Sequence, residues 1–293
     1  MVLHQLCHLL NEIAEAYVVP MPRGSIINWL NIDHVDQLVA AEKNQLANFK
    51  TCPSLNTPIF SSYPGLDLEA CVAVYPEVVL GNPFKMKNVA RWVLYHSGFH
   101  RGMSCTSFGE VEFKYNPDFA GAEIANFSET ADFALKVTMV DDDTYNNIQS
   151  NCNMSREKLI ANRKGAAYCV RKGSFRNVGL IDDNSICIDG KSNAEIRKIL
   201  TKVKHFISFD PHTHFLNIAV TNGCYSLVSY PDYDGKEEAC FKQRPFVAFS
   251  ESQLEKSWDN RAQILKRFDE DIEISRRNVR KFADFWGNRV SQA

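Results

Sequence analysis

Arg171-Lys172-Gly173 follows directly on residues 165–170, a short apolar run that reads as a β-strand. Both cations therefore project from the carboxyl end of a strand, beside a glycine that admits close approach of a ligand. Two cations so placed suit a pyrophosphate: arginine engages phosphate oxygens in bidentate fashion and lysine adds a point charge. A solvated basic turn is the plainer reading of the same residues. Asp210-Pro211-His212-Thr213-His214 follows a second apolar run, residues 203–209, which the proline brings to an end. Thr213 and the backbone N–H groups of a helix starting here could face an anion. Asp210 or Thr213 also suits the role of helix cap, and the two roles are compatible. His212 and His214 have no carboxylate or cysteine at a ligand-like offset, so they make a poor metal pair. Asp189-Gly190-Lys191-Ser192 reads as a turn and helix N-cap, with contact to a ribose or base edge as its functional alternative. Asp232 ends a further strand and joins the same rim.

The first half offers a general base. Glu77 follows Tyr75-Pro76 at a strand end, where a carboxylate can take a proton from a bound hydroxyl. Its plainer role is pairing with Arg91 or Lys87. His96 and His100 flank a glycine loop and could serve the same purpose. Asp141-Asp142-Asp143 superficially matches the acidic triplet that holds a divalent metal in one class of sugar transferases. Charge runs beside a linker are usually solvated, so no metal site is expected.

The elements that must position these residues follow from patterning. Residues 203–209, 212–222 and 226–230 read as strand, helix and strand, with Phe215, Ile218 and Ala219 at helical spacing and Gly223 as C-cap. That is a βαβ unit with parallel strands. Residues 2–17 form an amphipathic helix and 16–20 a strand; 29–33 and 70–75 are further apolar runs. Residues 87–95 read as a helix through Val89, Trp92 and Val93, while 109–115 and 133–140 read as strands. A polar stretch, 141–161, reads as a connection. Strands at 185–188 and 246–249, a helix at 193–203 and one or two charged helices over 251–286 complete the chain. The expected organisation is an α/β chain with domains at 1–145 and 146–250 and a helical tail at 251–293. Opening on a helix rather than a strand predicts a missing first strand or a chain that is part of a longer one.

With 293 residues, 45% hydrophobic and 23% charged, the composition is that of a globular protein with ample core. A net charge of −2 gives no reason to expect nucleic acid as a partner. No apolar run approaches the roughly 20 residues of a membrane span, and no leader pattern is visible. Nine cysteines without a C-x-x-C pair argue against a disulfide framework or zinc ribbon. Cys71, Cys169 and Cys187 lie in apolar runs and read as buried small hydrophobes, and a reducing cytoplasm is the simplest compartment.

Several of these stretches, taken in order, resemble glycosyltransferases that build bacterial lipopolysaccharide and capsule. They are His4-Gln-Leu-Cys-His-Leu-Leu-Asn11, Val74-Tyr-Pro-Glu-Val-Val79, Gly81-Asn-Pro83 and Asn88-Val-Ala-Arg-Trp92. In the second half they are Tyr168-Cys-Val-Arg-Lys-Gly173, Ile188-Asp-Gly-Lys-Ser192, Phe206-Ile-Ser-Phe-Asp-Pro-His-Thr213, Gly223-Cys224 and Tyr230-Pro-Asp232. The resemblance implies a GT-B architecture, two Rossmann-like domains facing across a cleft. It also implies a nucleotide-sugar donor, UDP- or GDP-linked, on the C-terminal domain, a glycan acceptor on the N-terminal domain, and no need for metal. Arg171, Lys172 and Gly173 would then hold the diphosphate, with Asp189, Asp210, His212, Thr213 and Asp232 around the donor. Glu77, or else His96 or His100, would activate the acceptor hydroxyl. The chain departs from the family after Asp232. Lys236-Glu-Glu-Ala-Cys240 and Phe246-Val-Ala-Phe-Ser250 stand where relatives carry a glutamate-tryptophan pair and a glycine-tyrosine-rich strand. A silent GT-B-like binding or scaffold domain of a larger glycan-assembly protein is the alternative, and a sugar-nucleotide epimerase a third.

Overall fold

The computed structural model describes residues 2–19, 51, 54–60, 67, 69–79, 81–99, 102, 104, 106, 109–119, 121, 129–138 and 142–291. The apolar run at 29–33 lies outside them. In chain order the first half carries α1 (Val2–Leu10), β1 (Val72–Pro76), β2 (Asn88–Val93), β3 (Val111–Lys114) and β4 (Glu129–Thr130). Next come α2 (Asp142–Cys152), α3 (Arg156–Ile160), β5 (Ala166–Cys169), β6 (Ile186–Cys187) and α4 (Asn193–Leu200). The remainder is β7 (His205–Ser208), α5 (Phe215–Thr221), β8 (Tyr225–Val228), α6 (Glu237–Gln243), α7 (Leu254–Asp259) and α8 (Gln263–Val290). Two compact units result, Met1–Met139 with Asp271–Ala293, and Val140–Glu270. The segment read from sequence as a helical tail is thus divided between them.

The first unit is built on a parallel sheet in the order β1-β2-β3-β4. Residues 88–93 are therefore a strand, where a helix was expected over 87–95. Five of the six residues of β2 are buried, because it is hydrogen-bonded on both sides and covered on both faces. A short run of that kind matches helix and strand spacing equally well. Arg91, at its centre, is 0% exposed and forms a bidentate pair with Glu110, while its other N–H groups donate to the carbonyls of Pro76, Val79 and Gly81. Trp92 and Phe113 of the sheet pack with Leu6 and Leu9 of α1 and with Val279, Phe282 and Trp286 of α8. Helix α1 stops at Leu10, short of residue 17, because the Asn11 side chain clamps the following turn through Ala16 N and O. The expected strand at 16–20 reduces to a single bridge between Val18 and Ile59. Residues 133–138 form no strand; Leu135 N donates to Lys114 O at the end of β3, while Thr138 N donates to Ser275 Oγ and Asn278 Nδ2 to Lys136 O.

The second unit carries a parallel sheet in the order β6-β5-β7-β8. The expected βαβ segment is present as β7-α5-β8. Gly223, at φ 80°, ends α5: its N–H reaches Val220 O and Cys224 N reaches Ala219 O, the paired bonds of a Schellman motif. Ser192 and Glu195 form a capping box at the start of α4. The polar stretch read as a connection is helical, as α2 and α3. Residues 246–249 make only a bridge, Leu227 to Ala248. Cys169 is buried and Cys71 and Cys187 are half-buried. Burial pushes the Cys169 and Cys224 thiols up to about 12, which fits packing rather than chemistry.

Candidate functional site

In order of appearance, the strands of the second unit run 2-1-3-4 across the sheet, so the order reverses between β5 and β7. In open parallel sheets, ligands settle outside the carboxyl ends of the strands at such a reversal. The residues that follow β5 and β7 are the ones singled out from sequence.

Beyond β5 the chain turns sharply, with Gly173 N donating to Val170 O at 2.8 Å. Arg171 stands at φ 45°, in the left-handed region that a non-glycine residue enters at a cost of on the order of 1–3 kcal/mol. Asp189 holds the turn there, its Oδ2 accepting from Val170 N at 2.8 Å and from Arg171 N at 3.1 Å. The guanidinium lies over the Phe215 ring, 4.4 Å from its centroid, with Nε 3.9 Å from Asp189 Oδ1. The Arg171 side chain is 46% exposed and remains open to a ligand. Lys172 beside it is half-buried. Gly173 serves the protein's own packing: a Cβ there would meet Phe209 O at 1.8 Å. The close approach expected of a ligand is made by the end of β7 instead. Asp189 likewise acts as the clamp of the turn.

Beyond β7, Ser208 Oγ donates to Asp210 O at 2.7 Å, and Asp210 Oδ1 accepts from His212 N at 2.9 Å. Asp210 thus closes an Asx turn. The N-cap of α5 is His214, which makes no side-chain cap bond, so neither Asp210 nor Thr213 occupies that position. Thr213 Oγ1 accepts from Phe215 N at 3.4 Å. Asp210 and Thr213 are buried, whereas His212 is exposed. The structure therefore brings Arg171, Lys172, Asp210, His212 and Thr213 to neighbouring strand ends.

Asp232 is exposed on the 3₁₀ turn Pro231–Tyr233, which follows β8, the parallel neighbour of β7. An open pocket of about 240 Å³ that sequence reading did not anticipate is walled in part by Arg176, Ser229, Tyr230, Tyr233, Asp234 and Glu251, and Asp232 is not among its lining residues. Arg176 donates to both carboxylate oxygens of Asp234, at 2.9 and 2.8 Å, and holds that carboxyl below its usual range. The one available signal was the aromatic-acid alternation Tyr230-Pro-Asp-Tyr-Asp234 directly after a strand.

In the first unit, Glu77 is buried at the carboxyl end of β1. Its Oε2 accepts from Leu94 N at 3.0 Å, and its own N–H donates to Trp92 O at 3.1 Å. The ion pairs expected of it are made elsewhere, since Arg91 takes Glu110 and Lys87 takes Glu69. No described group bonds Glu77 Oε1. His96 lies just past β2, half-buried against the rings of Tyr95 and Phe119. Glu77 and His96 thus share the carboxyl edge of one sheet. His100 lies outside the described residues, as does Asp141; Asp142 and Asp143 open α2. Among the described residues no group of three or more His, Cys, Asp or Glu could hold a metal ion, and no helix is long and apolar enough to cross a membrane. No family model, curated protein or solved structure matches the chain.

Proposed function

We propose that the chain is a GT-B-type glycosyltransferase that moves a sugar from a UDP- or GDP-sugar to a glycan acceptor. The observation that carries this reading is the meeting of Arg171 and Lys172 with Asp210–Thr213 at the strand-order reversal of a parallel sheet. A left-handed backbone at Arg171 supports it, because strain of that kind concentrates where a side chain must be aimed. The donor diphosphate lies against these cations. As the glycosidic C–O bond breaks, negative charge grows on the departing phosphate, and a preorganised guanidinium and ammonium stabilise it. Glu77 is anchored by Leu94 N through Oε2 and keeps Oε1 for the proton of the acceptor hydroxyl. That hydroxyl oxygen attacks the anomeric carbon, and the metal-free cations balance the leaving group.

A non-catalytic binding module is the second reading. It is favoured by the use of Glu77, Asp189 and Gly173 in the protein's own turns. The two separate in an assay of the full chain with UDP- and GDP-hexoses, with and without glycan acceptors, followed by mass spectrometry. A transferase releases nucleoside diphosphate only with acceptor present, whereas an epimerase needs none. Glu77→Gln should lower turnover by about 10²-fold or more and leave nucleotide affinity intact. Full turnover in that variant would move the base to His96; no release under any condition would favour the binding module.

A further inference from the structure

Most arginines of the second unit have evident partners. Arg156 pairs with Glu255 and Asp259, and Arg176 with Asp234. Arg261 stacks on Trp258 and donates to the carbonyls of Asn151, Cys152 and Met154. Arg244 differs. It caps the C-terminus of α6, with its backbone N–H fixed on Cys240 O, and its side chain is half-buried. One hydrogen bond engages its guanidinium, Nη1 to Pro211 O at 3.3 Å, and among the described residues no carboxylate lies within ion-pairing distance. A guanidinium carries five N–H donors and stays charged in proteins, so most of its donors have no described acceptor. Burial pushes Arg244 below its ordinary value, and the charge of Arg267 acts in the same direction. A half-buried cation with few acceptors is costly to hold, and the cost falls when an anion arrives.

The position of the side chain says which anion. Pro211 stands between Asp210 and His212 in the turn that leads from β7 into α5, and Arg171 lies over Phe215 at the other end of that turn. One guanidinium therefore bonds the turn at the carboxyl edge of the sheet, and the other stacks on the first residue of the helix that the turn leads into. We propose that Arg244 is a second anion-binding residue of this site and takes a phosphate oxygen of a nucleoside diphosphate. The inference rests on the donor reading above and adds to it a residue from the part of the chain that departs from the family pattern. The planar fork of arginine suits phosphate oxygens, and a desolvated guanidinium binds them more strongly than an exposed one.

Calorimetry on the full chain with inorganic pyrophosphate and with UDP tests this, using wild type, Arg171→Ala, Arg244→Gln and Arg244→Lys, with the ligand-free Tm of each. Arg244→Gln should weaken pyrophosphate binding by about tenfold or more. Its ligand-free Tm should equal or exceed that of wild type, since a half-buried charge with few acceptors has been removed. Arg244→Lys keeps the charge, folds as wild type and should bind with intermediate affinity. Wild-type affinity for both probes in the two Arg244 variants, with loss in Arg171→Ala, would overturn the inference and leave the donor reading standing. No binding of either probe by wild type would overturn both.

Discussion

Arg171 shows why residue type alone did not define the site. Its charge and its place after a strand were legible in the sequence, but its left-handed backbone and the Asp189 clamp were not. That clamp joins residues some twenty positions apart, and only the pairing of β5 with β6 brings them together. Gly173 was legible as a glycine needed for close approach, and the partner proved to be Phe209 O. His205 allows a test of the second unit's packing by pH. It is half-buried against the Tyr225 ring, centroids 5.6 Å apart, and burial, followed by the charge of Lys204, lowers it from its ordinary 6.5. The unfolded chain therefore binds this proton more tightly than the folded one. Stability is full above pH 6.5 and falls as the pH drops through that value toward the folded one. His205→Phe should flatten that part of the decline, read as Tm over about pH 8 to 5. Parallel curves for the variant and wild type would show that His205 contributes nothing to it.

At the scale of elements, patterning located most strands of both sheets but misread β2. A helix and a doubly paired strand both bury Val89, Trp92 and Val93, and six residues are too few for period to decide between them. Arg91 sits in the middle of the run, and Glu110 and three carbonyls satisfy it at 0% exposure. Removing one partner of such a pair leaves the other charge buried and alone. Arg91→Ala should therefore cost about 3–5 kcal/mol in urea unfolding of the first unit. A loss below about 1 kcal/mol would place the pair among those that contribute little. The described part of the run expected at 133–140, residues 133–138, was misread for a different reason. Of its backbone groups, Leu135 N bonds β3, but Lys136 O and Thr138 N are taken by side chains of α8, which sequence proximity could not reveal.

For the whole molecule, the sequence carried the α/β theme and the parallel sheets, because apolar runs alternate with amphipathic segments throughout. The shared use of α8 was not legible. Ile264 and Phe268 belong to the core of the second unit, whereas Val279, Phe282 and Trp286 belong to that of the first. A chain ending at Glu270 should keep amide protection in β5, β7 and β8 and lose it in β1, β2 and β3. Retained protection in the first sheet would mean that its core stands without the helix.

The most direct test of the proposed function is thermal shift of the full chain against UDP, GDP, CMP, ADP and dTDP without added metal, beside Arg171→Ala. A nucleotide at 100 times its Kd adds about 2.7 kcal/mol of stability. A glycosyltransferase with its donor at the β5–β7 reversal should be stabilised by UDP or GDP, with the shift largely lost in Arg171→Ala. No shift with any of the five, or an equal shift in the variant, would contradict that assignment.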